Sequence, residues 1–307
     1  MKLSLFQVDA FTDKVFSGNP AAVCPLECWV DEREMLSIAA ENNLSETAFC
    51  VPEDSGYRLR WFTPKFEAQL CGHATLATAF VIFNVLQPGI TSVRFQTCSG
   101  PLVVQQDGDY MAMDFPSMPA KSCAAVPRAL AEGLDPAPRV VLETGTNAAD
   151  RNYFVVYTTE DQVRDARPNL GLLEALHPAG VCITAPGKQS DFVSRYFAPS
   201  YGIPEDPVTG STHCTLGPYW SDRLKKGVLH ARQTSQRGGD LLVEPRGSRV
   251  TLKGKAVMYL AGRSRSDEQR RVLTSRRPIP NGSRLRIRSG YSSCGGQLSC
   301  LLVSYKS

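Results

Sequence analysis

The sequence predicts an α+β fold of two pseudo-symmetric halves, each with a curved, mostly antiparallel sheet wrapped around a central helix. An Arg-aromatic-Phe-x-Pro motif occurs twice, at Arg60–Pro64 (RWFTP) and at Arg195–Pro199 (RYFAP). A glycine followed by a polar residue comes after each copy, at Gly72 and at Gly210, with nearly the same spacing. This duplication predicts two similar halves that face each other across a cleft and contribute one helix N-terminus each.

Length and composition favour a globular, cytoplasmic protein. The chain has 307 residues, of which 42% are hydrophobic and 21% charged, and this size suits two ordinary domains. No apolar run approaches the roughly 18 residues of a membrane helix, and residues 1–10 alternate like a strand rather than a signal peptide. The net charge of +4, much of it after Arg263, makes no strong case for nucleic-acid binding. Ten scattered cysteines without zinc-like spacing predict reduced thiols and no metal site.

The first half, residues 1–118, reads as strands around one apolar helix. Asp31–Asn42 is predicted as a helix with Asp31 as its N-cap, and Ala74–Val85 as a helix that is apolar on all sides and therefore buried. Phe16–Pro20 is a turn signal. The predicted strands are Met1–Ala10, Ala21–Cys24, Thr47–Val51, Tyr57–Phe62, Val93–Thr97, Leu102–Gln105 and Met111–Phe115.

The second half, residues 119–263, repeats this pattern after a linker at Pro116–Pro138 that has room for one helix. A second central helix is predicted from Ser211 onward, with a kink at Pro218 because proline lacks the N–H of an interior helical bond. The predicted strands are Asn152–Thr158, Gly180–Ala185, Phe192–Phe197, Leu241–Glu244, Arg249–Leu252 and Ala256–Ala261, the last three closing this half. Residues 264–307 are predicted to form a poorly packed basic tail.

The two glycines are candidate parts of an anion site. Gly72 and Gly210 stand where the two central helices are expected to begin, and a helix N-terminus presents free N–H groups and a partial positive charge. A glycine there also lets a ligand approach the backbone closely. The structural alternative is that each glycine only makes the turn from strand to helix.

Four titratable side chains are candidates for proton transfer. Glu46 lies where a helix gives way to an apolar strand, and partial desolvation there would make a carboxylate a useful proton shuttle. Asp206 precedes a proline and, like Glu46, could instead have a structural role, in a turn or a cap. His73 and His213 are either satisfied structural histidines or members of the same acid/base set.

Several of these segments together resemble a known family. They are Gly18–Ala21 (GNPA), Asn43–Phe49 (NLSETAF), Arg60–Pro64, Cys71–Thr75 (CGHAT), Tyr196–Pro199 and Glu205–Ser211 (EDPVTGS). In this order they resemble the PhzF family of phenazine-biosynthesis-like isomerases, with the nearest likeness to its animal branch, the phenazine biosynthesis-like domain-containing proteins. The resemblance extends over roughly residues 1–261, and the chain after Arg263 has no counterpart in it.

The resemblance implies a fold similar to diaminopimelate epimerase, a homodimer, and catalysis without a metal or organic cofactor. It also implies that Glu46 moves a proton between carbons of a small, ring-like carboxylic acid, with Asp206 and His73 as its catalytic partners. Substrate binding would then fall to four residues, namely Asn19, Gly72, Gly210 and Ser211.

Two other functions stay open at this point. The chain could be a non-enzymatic, protein-binding regulator that retains the cleft, because a fold does not dictate a function. It could also be a racemase that uses two cysteines, as the related epimerases do, but the helix starts present His73 and Ser211 instead. Cys71 and Cys214 are displaced from those positions and are interpreted as core thiols.

Overall fold

The computed structural model describes residues 2–145 and 151–265, which form eighteen strands and six α-helices. The first half contains β1 Lys2–Ala10, β2 Asn19–Pro25, α1 Glu32–Asn42, β3 Glu46–Glu53, β4 Gly56–Phe62, β5 Glu67–Ala68, α2 Gly72–Val81, β6 Ser92–Thr97, β7 Gly100–Asp107 and β8 Tyr110–Pro116. A π-helical turn, Ile82–Leu86, extends α2.

The second half begins with β9 Lys121–Ser122, α3 Arg128–Gly133, β10 Val140–Thr144, β11 Asn152–Val156, α4 Glu160–Asp165, α5 Leu170–Glu174 and β12 Gly180–Pro186. It continues with β13 Phe192–Ala198, a 3₁₀ turn Pro199–Tyr201, β14 Ile203–Asp206, α6 Gly210–Leu224, β15 Leu229–Gln233, β16 Gly239–Arg246, β17 Arg249–Gly254 and β18 Ala256–Arg265.

The two halves have the same strand pairing. In the first half β1–β2 is antiparallel, β2–β3 parallel, β3–β4 antiparallel and β4–β6 parallel, with β5 as a short antiparallel partner of β4. In the second half β10–β11, β11–β12, β12–β13 and β13–β15 follow the same sequence of directions, with β14 as the short partner of β13. Each half then ends in an antiparallel meander, β6–β7–β8 or β15–β16–β17. The duplication expected from the sequence is therefore a duplication of topology.

β9 follows the meander β6–β7–β8 but pairs in the sheet of the second half, and β18 follows the meander β15–β16–β17 but pairs in the sheet of the first. β9 pairs with β10, and β18 pairs with β1 over its whole length, for example Ala256 with Ala10 and Met258 with Val8. The sequence assigned Ala256–Ala261 to the second half, and the pairing adds that this segment joins the sheet of the first. Alternation shows that a segment is a strand but not which sheet it joins. β8 also pairs with β17, so the two sheets are continuous through their backbone hydrogen bonds.

Both central helices are largely buried, and for the first of them the apolar pattern predicted this. In α2 the small side chains are covered by β1, β2, β3, β8 and β18, and its buried Thr75 and Thr78 hydroxyls donate to the Cys71 and Ala74 carbonyls. In α6 the first two turns are buried against β15, β16 and β17. Pro218 lies within α6, and its kink stays a prediction.

Smaller features agree with the sequence as well. Asp31 caps α1 by accepting from the Arg33 N–H, and the linker carries the short helix α3. Ser264 and Arg265 continue β18, whereas the rest of the predicted tail lies outside the described residues. Within residues 2–145 and 151–265, every helix is too short or too polar to cross a membrane.

Candidate active site

A cavity of about 290 Å³ lies between the starts of α2 and α6. Its lining contains both charged or polar side chains and apolar ones. The polar part contains Glu46, His73, Asp206, Thr209 and Ser211 with the backbone of Gly72 and Gly210, and the apolar part contains Leu70, Phe115, Met118, Ala198 and Ile203. Most of the candidate residues therefore line a single cavity, and only Asn19 and His213 among them do not. Its wall also includes Tyr196, Tyr201, Cys71 and Cys214.

The two helix starts approach each other closely. A Cβ built on Gly72 would lie 4.0 Å from the Cα of Gly210, so the glycines permit this approach. Among the described residues, no side chain caps either helix start, and neither first turn carries an acidic residue. The N–H groups of the first turns, at Gly72, His73, Gly210 and Ser211, are thus suited to hold an anion from two sides.

Glu46 is the first residue of β3. The chain reaches it through Asn43, whose left-handed backbone (φ 48°) ends α1 and redirects the chain into the strand. The Glu46 side chain is only 13% exposed, and its Oε2 lies 3.1 Å from Nε2 of His73. A carboxylate and an imidazole therefore share the cavity wall at contact distance.

His73 is the second residue of α2 and is nearly fully buried. Its Nδ1 lies 3.3 Å from Nδ2 of Asn19 and 3.5 Å from Sγ of Cys71. Burial favours the neutral ring, but the nearby Cys71 sulfur and Glu46 carboxylate outweigh it and raise the pKa of His73 well above its ordinary value.

Asp206 is the last residue of β14 and is buried opposite this pair. Its Oδ1 accepts from Nδ2 of Asn19 at 2.8 Å, and its Oδ2 accepts from the Thr209 hydroxyl. Burial raises the pKa of Asp206 to about 6, while His73 and these hydrogen bonds oppose the rise. A carboxyl group with such a pKa can both give and take a proton near neutral pH.

Asn19 does not line the cavity. It follows Gly18, whose backbone is left-handed (φ 66°) and where a Cβ would lie 2.2 Å from the Ala10 carbonyl oxygen, so only glycine fits. The fully buried Asn19 amide donates to Asp206 and, at 2.9 Å, to the Val208 carbonyl. It thus connects β2 of the first half to the loop before α6.

The two cysteines near the helix starts are buried in the cavity wall. Burial raises the pKa of Cys71 to about 11 and that of Cys214 to about 12, so both are neutral thiols near pH 7. Neither is therefore suited to act as the base of a two-thiol racemase, in line with the interpretation of both as core thiols.

Among residues 2–145 and 151–265, one group of side chains could hold a metal ion. The ligand atoms of Glu46, Cys71 and His73 lie within 4.8 Å of one another. A carboxylate oxygen, a sulfur and an imidazole nitrogen form a donor set that Zn²⁺ accepts. The Cys71 sulfur is a thiol, however, and would have to lose its proton on binding.

The structure shows the roles of two further residues near the site, Gln233 and His213. Gln233, which the sequence reasoning missed, donates from Nε2 to the Asp206 carbonyl and accepts from the Thr209 N–H, over 2.8 and 2.9 Å. His213 lies outside the cavity and donates from Nδ1 to the Thr209 carbonyl, and burial lowers its pKa to about 4. His213 is therefore a neutral structural histidine rather than part of the acid/base set.

Comparisons with known proteins identify the family to which the chain belongs. A family model described as phenazine biosynthesis-like protein (PhzC-PhzF) matches residues 8–262. An uncharacterized isomerase of Pseudomonas aeruginosa is 49% identical over 262 residues, which cover 85% of this chain and 98% of the relative. The phenazine biosynthesis-like domain-containing protein of Bos taurus is 40% identical over 290 aligned residues, which cover 85% of this chain and 99% of the relative.

A crystal structure of a PhzF family protein from Enterococcus faecalis superposes with a TM-score of 0.80 at 42% identity, over 87% of this chain and all of that one. Of the two relatives, the bacterial one has the higher identity, whereas the motifs alone suggested a nearer likeness to the animal branch. The match over most of the chain and the shared fold place this protein in the PhzF family of phenazine biosynthesis-like proteins.

Proposed function

We propose that this protein is a cofactor-independent isomerase that moves a proton between two carbons of a small carboxylic acid, with Glu46 as general acid and base. The isomerase class rests on the family, since bacterial members are named isomerases. The observation that carries the proton-transfer role is the contact between Glu46 and His73, at 3.1 Å, in a cavity that also contains Asp206 and two uncapped helix starts.

In the first step the Glu46 carboxylate takes a proton from a carbon next to the substrate carboxylate, or from its vinylogous position. The electron pair of that C–H bond moves into the carboxylate, which becomes an enolate. The N–H groups of the first turns of α2 and α6 bind this growing negative charge. Preorganised donors of this kind contribute about 10² to 10³ in rate each.

In the second step the proton returns to a different carbon. The electron pair moves back from the enolate, so no oxidant or reductant is needed. Asp206, with its pKa near 6, and the His73 ring beside Glu46 orient or relay the proton. General acid/base help contributes about 10² to 10⁴ in rate.

Solvent deuterium exchange tests this proposal. The protein is incubated in ²H₂O with a panel of small cyclic and acyclic amino and hydroxy acids, and label incorporation is followed by NMR and mass spectrometry. We expect incorporation into at least one acid, and a loss of about 10² to 10⁴ in rate for Glu46→Gln. The matched control is Glu53→Gln at the far end of the same strand, an exposed residue that should keep the full rate.

Two results would contradict the proposal. The first is exchange that persists in Glu46→Gln at the rate of Glu53→Gln. The second is the absence of exchange with every acid in the panel, which together with a tightly bound protein partner would favour the regulator. The same assay is run with EDTA and with added Zn²⁺, because a zinc-dependent rate would assign Glu46, Cys71 and His73 to a metal instead.

We further expect a homodimer in the cytoplasm, as the family resemblance and the sequence suggested. The mass of one chain is 33.6 kDa, and native mass spectrometry at micromolar concentration should give twice that value. A monomer at that concentration would contradict the expectation without bearing on the chemistry of the cavity.

A further inference from the structure

Each half contains an arginine that binds a glutamate of the following short strand at two points. In the first half Arg60 donates from Nε and Nη2 to the two carboxylate oxygens of Glu67, over 2.7 and 2.6 Å. In the second half Arg195 donates in the same way to Glu205, over 2.7 and 3.0 Å. All four side chains are mostly buried. Such two-point pairs fix geometry as well as charge.

The second arginine is also attached to a neighbouring helix. Its Nη1 lies within 2.9 to 3.2 Å of the carbonyl oxygens at the end of α4, those of Val163, Arg164 and Ala166. Its guanidinium lies 5.0 Å from the centre of the Phe197 ring. Arg195 therefore joins β13, β14 and α4, and five donor contacts and one ring face hold its head group in place.

The residues after Arg195 and Glu205 belong to the cavity. Tyr196 and Asp206 directly follow them, pair with each other across β13 and β14, and both line the cavity. Successive strand residues point to opposite faces, so the arginine–glutamate pair lies on the face away from the cavity. β14 has only four residues, and its ladder to β13 is irregular, so backbone pairing alone holds Asp206 weakly.

The first half has the same kind of arginine–glutamate pair, but the residue after its glutamate is an alanine rather than an aspartate. Arg60 and Glu67 are followed by Trp61 and Ala68, which pair across β4 and β5. The Arg60 guanidinium lies 5.1 Å from the Phe62 ring centre, as in the second half. Ala68 occupies the position that Asp206 has in the other half, so this pair is a built-in control.

We infer that the Arg195–Glu205 pair is a positioning device that holds β14 against β13 and thereby sets the place of Asp206 in the cavity. This role rests on the proposed function of Asp206, and it assigns different tasks to the arginine–glutamate pairs of the two halves. In the first half the same pair only stabilises the fold.

The kinetic test compares Arg195→Lys with Arg60→Lys in the deuterium exchange assay. Lysine keeps the positive charge but loses the planar fork that binds both carboxylate oxygens. We expect Arg195→Lys to lower kcat about 10- to 100-fold with little change in KM, as small misplacements of catalytic groups do. Both variants should lower the melting temperature by a similar amount, but Arg60→Lys should keep the kcat of the wild type. Equal kcat in the two variants would overturn the inference.

A second measurement needs no substrate. The ¹³C resonance of the Asp206 carboxyl, assigned with Asp206→Asn, is titrated in the wild type and in both lysine variants. A loosened β14 admits water, so the midpoint should fall in Arg195→Lys and stay unchanged in Arg60→Lys. The titratable groups facing Asp206 in the described chain, His73, Glu46 and Tyr196, are the same in all three proteins.

The two measurements separate the inference from the proposed function. If no acid exchanges but the midpoint falls only in Arg195→Lys, the proposed reaction fails and the positioning role stands. If the wild type catalyses exchange but the midpoint is the same in all three proteins, the positioning role fails and the reaction stands.

Discussion

The free energy of unfolding of Asp206→Asn, compared with that of the wild type, should increase as the pH rises. Burial raises the pKa of Asp206 from 3.8 to about 6, so the folded state binds this proton more tightly than the unfolded chain does. The associated stability is present below about pH 4 and is lost as the pH rises through 6. For a shift of this size the loss amounts to about 3 kcal/mol. Asparagine does not titrate, so the variant escapes this loss.

The measured quantity is the difference in the free energy of unfolding between Asp206→Asn and the wild type, from urea titrations at pH 4, 5, 6 and 7. This difference should grow by about 2.4 kcal/mol over that range, because part of the titration of the unfolded chain lies below pH 4. The pH-independent part of this difference in free energy is less informative. In the wild type the Thr209 hydroxyl donates to Asp206, whereas in the variant the asparagine amide has to donate to that hydroxyl. The pH dependence is free of that part.

Asp191 provides a control of opposite sign. Despite its partial burial, hydrogen bonds from Lys226 and from the His230 N–H lower its pKa. Its contribution is present above about pH 4 and is lost as the pH falls below that value, so Asp191→Asn should lose stability relative to the wild type as the pH rises towards about 4, and should change little from there to about pH 7. A difference that is flat from pH 4 to 7 for Asp206→Asn would refute the assignment of a raised pKa to this carboxyl.

Three further predictions concern neighbouring residues. Asn19→Ala should cost about 3 kcal/mol in urea unfolding, since it removes a charge-assisted bond to Asp206 and leaves buried acceptors unpaired; wild-type stability would contradict this. Cys71→Ser should retain deuterium exchange within about tenfold, whereas a two-thiol mechanism predicts a loss of about 10³ or more in the same assay. Gly180→Ala should destabilise by about 1 to 3 kcal/mol because a Cβ there would lie 2.0 Å from the Tyr196 hydroxyl, and Tyr196→Leu in the same chain should recover part of that loss.

The sequence was sufficient to predict the duplication but not the exchange of strands between the halves. Repeated motifs and the apolar pattern of α2 arise from local chemistry and burial, which single sequences report well. The pairing of β18 with β1 joins the two ends of the described chain, and any alternating segment of the right length could have taken that place. Register with a distant partner is decided by packing that one strand does not encode.

The candidate site shows the same division. Glu46, His73 and Asp206 were found because motif residues identified them, and the structure brings all three to one cavity. The place of Asn19 could not be read from its motif, because a buried amide that donates to Asp206 and an amide that contacts a ligand look alike in sequence. Gln233 was missed since it acts through two hydrogen bonds to residues far from it in the chain.

The strand registers of the two halves show which positions correspond. Glu46 and Gly180 are each the first residue of a strand, and each stands one residue before the partner of Phe62 or Phe197. In the second half the space beside the glycine is taken by the Tyr196 hydroxyl, which lies where a Cβ would be. The glycine is therefore required by the packing of Tyr196, and this half has no room for a second Glu46.

The other two acid/base positions are equally one-sided. His73 and Ser211 are the second residues of the two central helices, and Asp206 corresponds to Ala68 in the pairing of the short strands. Each titratable residue thus has a small, non-titrating counterpart, whereas the two helix starts are alike. An enzyme that inverts one carbon needs an acid and a base on opposite faces, but a proton moved between two carbons of one substrate can leave and return through neighbouring groups. The unequal candidate residues around two alike helix starts therefore support the proposed isomerase, which shifts a proton along its substrate, over an enzyme that inverts one carbon.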